Sequence, residues 1–297
     1  MSNRYGFSLS SPLRTLCLAV ALAAAAGVMP AAVRAADTPV AAVPGVLPLA
    51  KAQALVAGAS KGRAKALKVF AGPGGLTGVL VQVGAGEAAQ RSIVWANMDG
   101  SALLVGNLVS ADGTDLNAGA AVQAGVYKAP AETLAAAALP AARAILSKGH
   151  GPVLTVFMDP NCIFCHMLFK DLEPVLAKGD VRVRFVMVGV VKEDSLAKSA
   201  TILGMADPLQ ALTTDEHKFD KAQEEGGIAP STTPNAATFA AVAANNRLLT
   251  DAGGHGTPML LYCSKASGQV KQVEGVPQDF SAFIGDLATG PAAACKG

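Results

Sequence analysis

Apolar positions follow several rhythms along this chain. Residues 16–28 form one unbroken apolar run. Residues 47–67 are rich in Ala and Lys, a composition that suits helix. Short runs rich in Val, Leu and Ile at 67–70, 77–83, 92–96 and 102–110 read as strands. Pro73-Gly74-Gly75, Gly84-Ala85-Gly86, Asp99-Gly100 and Asp112-Gly113 separate them as turns. The texture changes over 118–150, where Ala-rich stretches meet Pro130 and Pro140. Leu134, Ala138, Ala142 and Ile145 recur there at helical spacing and predict a linker helix over 131–146.

Beyond Pro152 the pattern becomes strand–helix–strand. Residues 153–158 are a short apolar run fit for a buried strand. Residues 165–177 place Met167, Leu168, Leu172, Val175 and Leu176 on one helical face, and 181–188 form a second strand. Residues 195–250 read as helices and loops, with breaks at Pro208, Gly226-Gly227, Pro230 and Pro234. Strands at 259–262 and 269–274 and a terminal helix over 278–288 complete the chain. Without the helical insert, the order is βαβ followed by ββα, the arrangement of a thioredoxin fold.

Cys162 and Cys165 stand where the strand 153–158 gives way to the helix. Two thiols three residues apart at a helix N-terminus lie within disulfide reach, and the peptide N–H groups and helix dipole there favour a thiolate. The first cysteine of such a pair acts as nucleophile, and the second closes the ring and expels the bound partner. The placement suits thiol–disulfide exchange.

The N-terminus bears on compartment. Arg4 and Arg14 precede or flank the start of the apolar run, and Val33-Arg34-Ala35 supplies small residues for cleavage, the pattern of a secretory signal peptide over 1–35. The run is shorter than the ~20 residues that a membrane span needs. The chain has 24 basic and 22 acidic residues; losing Arg4, Arg14 and Arg34 leaves 21 against 22. That balance argues against nucleic acid or a polybasic membrane contact. The remaining chain of roughly 260 residues has room for more than one domain. Export and Ala-rich composition suggest a bacterial periplasm. Cys17 leaves with the leader. Of the four cysteines remaining, Cys263 and Cys295 are either a structural bridge or two separate buried thiols.

Four segments carry a family resemblance: Phe70-Ala-Gly-Pro-Gly-Gly-Leu-Thr-Gly78, Asp159-Pro-Asn-Cys-Ile-Phe-Cys165, Val188-Gly-Val-Val-Lys-Glu-Asp-Ser195 and Gly256-Thr-Pro-Met259. In this ordered set the chain resembles the periplasmic disulfide isomerases and reductases of the DsbC/DsbG type, and looks closest to the DsbG branch. The resemblance covers essentially the whole chain after the leader. It implies an α+β protein with a cystatin-like dimerisation domain over 36–117, a linker helix over 118–150, and a thioredoxin-like catalytic domain over 151–297 with its insert at about 195–250. It further implies a homodimer with a chaperone-like cleft, exported protein substrates, a membrane thiol reductase of the DsbD type as electron donor, and no metal or organic cofactor. Thr257 and Pro258 become the threonine and cis-proline that face the dithiol and bind substrate. Two departures from the family stand out. The intervening pair is Ile163-Phe164, where members commonly have Pro or Gly followed by Tyr. The strand 153–158 also lacks a buried acid, which leaves proton handling to water, His166 or Lys170.

Cys162-Ile-Phe-Cys-His166 also fits the c-type haem attachment pattern. The preceding buried strand and the downstream Thr-Pro argue against that reading. A zinc site would want a second closely spaced ligand pair, and Cys263 and Cys295 lie far apart in sequence. His150, His217 and His255 read as surface or loop histidines. A non-catalytic periplasmic chaperone is a further reading; the dithiol favours catalysis, and the two roles are compatible.

Overall fold

Pro48 and Gly62 bracket the first helix. In the computed structural model the described residues are 45–297, apart from 87, 88, 112–114, 234, 290–294, 296 and 297. The leader expected over 1–35 lies outside them. Helix α1 spans Leu49–Ser60, with Pro48 at its cap. Lys61 and Gly62 both take positive φ, 53° and 75°, and the Gly62 N–H donates to Ala57 O at 2.8 Å. Two left-handed residues in succession close the helix, so the helix expected to reach residue 67 stops at Ser60. The chain continues as strand β1, Ala64–Ala71.

Strands β2 (Thr77–Val83), β3 (Gln90–Ala96) and β4 (Leu103–Leu104) follow β1 in an antiparallel meander of order β1-β2-β3-β4. One face buries Ala66, Val79, Val81, Val94 and Ala96 against Ala52 and Val56 of α1, four apart on one helical face. The other buries Phe70, Leu80, Ile93 and Trp95. Gly72 and Gly78 make room for that aromatic pair: a Cβ on Gly78 would meet the Phe70 ring at 2.2 Å, and one on Gly72 the Trp95 ring at 2.5 Å. The strand expected over 102–110 is reduced to two residues. Beyond it the backbone bonds to a side chain instead of a strand: Asn117 Oδ1 accepts from Leu108 N–H and from the Trp95 indole N–H, and Asn117 Nδ2 donates to Gly106 O.

The expected linker helix is divided. Helix α2, Leu116–Ala124, ends at Gly125 (φ 79°), and helix α3, Pro130–Ala137, begins on a proline that needs no N–H donor. A single 3₁₀ turn, Pro140–Ala142, precedes Arg143 at φ 44°. Ile145, expected on the helix, instead opens edge strand β5, Ile145–Leu146. The two helices belong to different cores. Ala120 and Ala121 of α2 pack with Phe70 and Trp95, and Leu134 and Ala137 of α3 pack with Phe157, Val186 and Met259.

The C-terminal part is a five-stranded sheet of order β5-β7-β6-β8-β9, built from β6 (Val153–Met158), β7 (Arg182–Met187), β8 (Met259–Cys263) and β9 (Val270–Glu274). β6 and β7 are parallel; the other pairs are antiparallel. Helix α4, Ile163–Lys178, connects β6 to β7. Alternation along β6 sends Leu154, Val156 and Met158 toward Leu168 and Leu172 of α4 and Phe157 toward α3. The insert supplies α5 (Ser195–Gly204), α6 (Pro208–His217) and α7 (Ala236–Asp251). Helix α8, Phe280–Gly285, is shorter than the terminal helix expected over 278–288. Cys263 at the end of β8 is joined to Cys295 by a disulfide, with Cα atoms 5.8 Å apart.

Candidate active site

Asp159 directs the chain from β6 into α4. Its carboxylate is wholly buried and accepts four hydrogen bonds: from Asn161 N–H and the Ser195 hydroxyl on Oδ1, and from Val190 and Val191 N–H on Oδ2. Two of the motif segments, 159–165 and 188–195, thereby become one hydrogen-bonded unit. Asn161 extends it. Its Nδ2 donates to Asp194 and Ser195, while its Oδ1 accepts from Gly226 N–H and from Lys198 Nζ. Lys198, 1 % exposed, also donates to Glu225 Oε1 and Gly226 O.

This scaffold holds Cys162 at the N-cap of α4. The Cys162 thiol donates to the backbone carbonyl of Thr257 at 3.2 Å, across 95 residues of sequence. The Thr257–Pro258 peptide bond is cis. Both thiols are free and buried, and their environments differ. Cys162 is lowered to about 6, chiefly by the hydrogen bond from Cys165, with burial opposing and Thr257 and the Cys165 and Phe164 amides assisting. Cys165 is pushed well above the usual thiol value, first by its complete burial and then by its neighbour. The buried Thr257 hydroxyl has no partner that meets hydrogen-bond geometry, yet it lies where it lowers both thiols.

The residues nominated for proton handling separate. Lys170 is half-exposed and pairs with Glu173 at the surface. His166 turns inward: its Nδ1 lies 3.0 Å from Glu216 Oε2, and its ring stacks on Phe219. An imidazole so engaged gives the haem reading no support. His150, His217 and His255 are exposed, and His217 bonds Glu173. Sequence reasoning missed Glu216, Asp215, Asp159, Asn161 and Lys198. A signal for the first two exists on α6, where Asp215 and Glu216 each follow a buried apolar residue, Ala211 and Leu212, by four. A cavity of about 880 Å³ lies between α4, α6 and β5, lined by Phe169, Leu176, Leu203 and Leu209. Neither thiol lines it, so the chemistry sits at the helix N-terminus and not in the cavity.

A thioredoxin fold with an asymmetric dithiol at the N-terminus of its first helix, facing a cis-proline turn, defines the class of thiol–disulfide oxidoreductases. Residues 139–287 match the family model of a thioredoxin-like domain. A thiol:disulfide interchange protein DsbG from Pseudomonas aeruginosa is 31 % identical over 72 % of this chain and 80 % of its own length. The DsbG of Escherichia coli is 27 % identical over 71 % of this chain and 82 % of its own. The solved structure of Helicobacter pylori DsbG aligns at TM-score 0.34 and 16 % identity, over 71 % of this chain and 98 % of that one. The chain belongs to the DsbG family of thiol:disulfide interchange proteins.

Proposed function

We propose that this protein is a periplasmic thiol–disulfide oxidoreductase of isomerase or reductase type acting on exported proteins. Cys162 is the nucleophile. Its thiolate attacks a sulfur of a substrate disulfide, forming a mixed disulfide and releasing the other substrate sulfur as thiolate. With an oxidised single cysteine, a sulfenic acid, the same attack forms the mixed disulfide and expels hydroxide. Cys165 then loses its proton and attacks the Cys162 sulfur, which closes the 162–165 disulfide and frees the reduced substrate. In isomerisation a second substrate thiol attacks instead and regenerates Cys162. The Thr257 and Pro258 backbone binds an extended substrate segment beside the sulfur, and a membrane thiol reductase of the DsbD type restores the dithiol. Residues 36–117 form the dimerisation domain of a homodimer. Phe164 and Met167, exposed beside the dithiol, supply an apolar hold on unfolded chains.

The observation that carries this reading is the inequality of the two thiols: one lowered to about 6 at a helix cap, the other buried and raised. The test is covalent trapping. Cys165→Ala accumulates mixed disulfides with exported proteins, separable on non-reducing gels, and Cys162→Ala does not. Equal trapping by both variants would refute the assignment.

A further inference from the structure

The turn Gly253-Gly-His-Gly-Thr257 delivers the Thr257 carbonyl to Cys162, and little in its own sequence holds it there. Three glycines in the four residues before Thr257 leave the backbone wide conformational freedom, so its shape is set by what packs on it. Beneath the turn, a Cβ on Gly254 would meet Leu249 at 2.4 Å and the Met259 sulfur at 2.9 Å. Outside it, the wall is Tyr127, in the connection between α2 and α3. Gly253 has φ 77°, and a Cβ on it would meet the Tyr127 ring at 2.5 Å. The same ring stands edge-on to His255, with centroids 6.2 Å apart.

Tyr127 is itself fixed from both sides. Before it, Val126 N–H donates to Ala121 O at 2.8 Å, and the Tyr127 side chain packs with the core of Phe70, Trp95, Ala120 and Ala121. After it, Lys128 N–H donates to Asp251 O at 2.7 Å, and the Lys128 ammonium pairs with the Asp251 carboxylate at 2.9 Å. The ring thus lies, firmly seated, against the turn whose last residue touches the reactive sulfur. On the far side of Thr257, the Pro258 carbonyl accepts from Gly275 N–H at 2.8 Å. The Thr257 hydroxyl, buried without a partner, anchors nothing itself.

We infer that Tyr127 is a positioning residue for the dithiol: its ring holds the 253–256 turn so that Thr257 stays against the Cys162 sulfur, and the connection between α2 and α3 thereby sets how readily that sulfur reacts. The inference rests on the nucleophile role proposed for Cys162. Without the ring, the glycines are free to shift and Thr257 loses its place. Its two groups then release the sulfur with unequal effect. The carbonyl holds only the neutral thiol, a weak donor. The hydroxyl donates to the thiolate, a charge-assisted bond roughly twice as strong as a neutral one. The net result is a Cys162 that ionises less readily.

The experiment is alkylation of the reduced full-length protein by iodoacetamide as a function of pH, read on the Cys162 peptide by mass spectrometry. Tyr127→Ala moves the midpoint upward, in the same direction as Thr257→Val. Tyr127→Phe keeps the wild-type midpoint, because the ring and not its hydroxyl makes the contacts with Gly253 and His255. Tyr127→Ala combined with Thr257→Val shifts no further than Thr257→Val alone, since both act through one hydroxyl. A Tyr127→Ala protein that is less stable but keeps the wild-type midpoint overturns the inference and leaves Tyr127 a structural residue. Additive shifts in the double variant overturn it as well, because Tyr127 then acts by another route. Should Tyr127→Ala fail to fold, Tyr127→Leu replaces it: an apolar side chain without a flat ring against Gly253 gives the same upward shift, and an unmoved midpoint overturns the inference. Alkylation does not require exchange, so failure of the Cys165→Ala trap refutes the proposed activity without moving any of these midpoints.

Discussion

Lys198 Nζ donates to Asn161 Oδ1 at 3.0 Å from beneath the loop that delivers Cys162. A buried ammonium here ties three parts of the chain together: Asn161 of the active-site loop, Asp194 at the start of α5, and Glu225-Gly226 of the insert. Lys198→Met fills the same space and leaves the Gly226 carbonyl without its donor, while the more exposed Glu225 and Asp194 turn to water. The expected cost is about 1–3 kcal/mol, that of one buried polar group left unpaired. Denaturant unfolding of wild type and variant, compared at equal slope, checks it; an unchanged midpoint contradicts the structural role given to Lys198.

The hydrogen bond from Cys165 lowers the Cys162 thiol from its ordinary value of 9.0 to about 6, and Cys162 is the sulfur set up to react. Alkylation by iodoacetamide should rise with pH around a midpoint of about 6, because the thiolate is the nucleophile. Thr257→Val should move that midpoint upward. The sign for stability follows from linkage: a depressed acid stabilises the fold above its unfolded pKa, and the gain is lost as pH falls through the folded value. Reduced wild type should therefore gain stability over Cys162→Ser between about pH 6 and pH 9. Parallel stability curves would contradict the shift.

The Cys263–Cys295 bond closes a separation of 32 residues. Cross-linking a loop of that size restricts the unfolded chain, so Cys263→Ser with Cys295→Ser should cost about 2–4 kcal/mol. The alkylation midpoint of Cys162 should not move, since the bridge lies at the far end of β8. Thermal unfolding and alkylation of the same preparation separate the two effects.

Strand β4 is the short outer strand of the N-terminal sheet, and Met98, Leu104, Val105 and Val109 are exposed on or near it. An apolar sheet edge of this kind is stabilised by a second copy. Leu104→Lys with Val105→Lys should shift the protein from dimer to monomer in sedimentation at micromolar concentration, with dithiol reductase activity retained. A wild type that sediments as a monomer contradicts the dimer outright.

Residues 77–83 were legible as a strand because Gly and Pro turns bracket them on both sides. The boundary between α1 and β1 was not. Lys65 and Lys68 stand among Ala64, Ala66 and Leu67, so strand alternation is written in small residues whose composition also suits helix. Ile145 sits at helical spacing from Ala142, yet Pro140 and the left-handed Arg143 break the helix before it. In the site, Cys162 and Thr257 were each visible through a local motif. Glu216 had only its four-residue spacing from Leu212 as a signal, because Asp215-Glu216-His217 reads as a solvated run until the packing of α6 against His166 and Phe219 is known.

The C-terminal disulfide makes this protein a product of oxidative maturation before it can act on the disulfides of others. A newly made chain carries the thiols of Cys263 and Cys295 beside the reactive pair, and only an outside oxidant working on the tail yields two free thiols and one bridge. Protein produced in a reducing cytosol would retain both extra thiols, with its tail untethered from β8. A thiol count on folded material thus records where the chain matured as well as whether its catalytic pair is reduced.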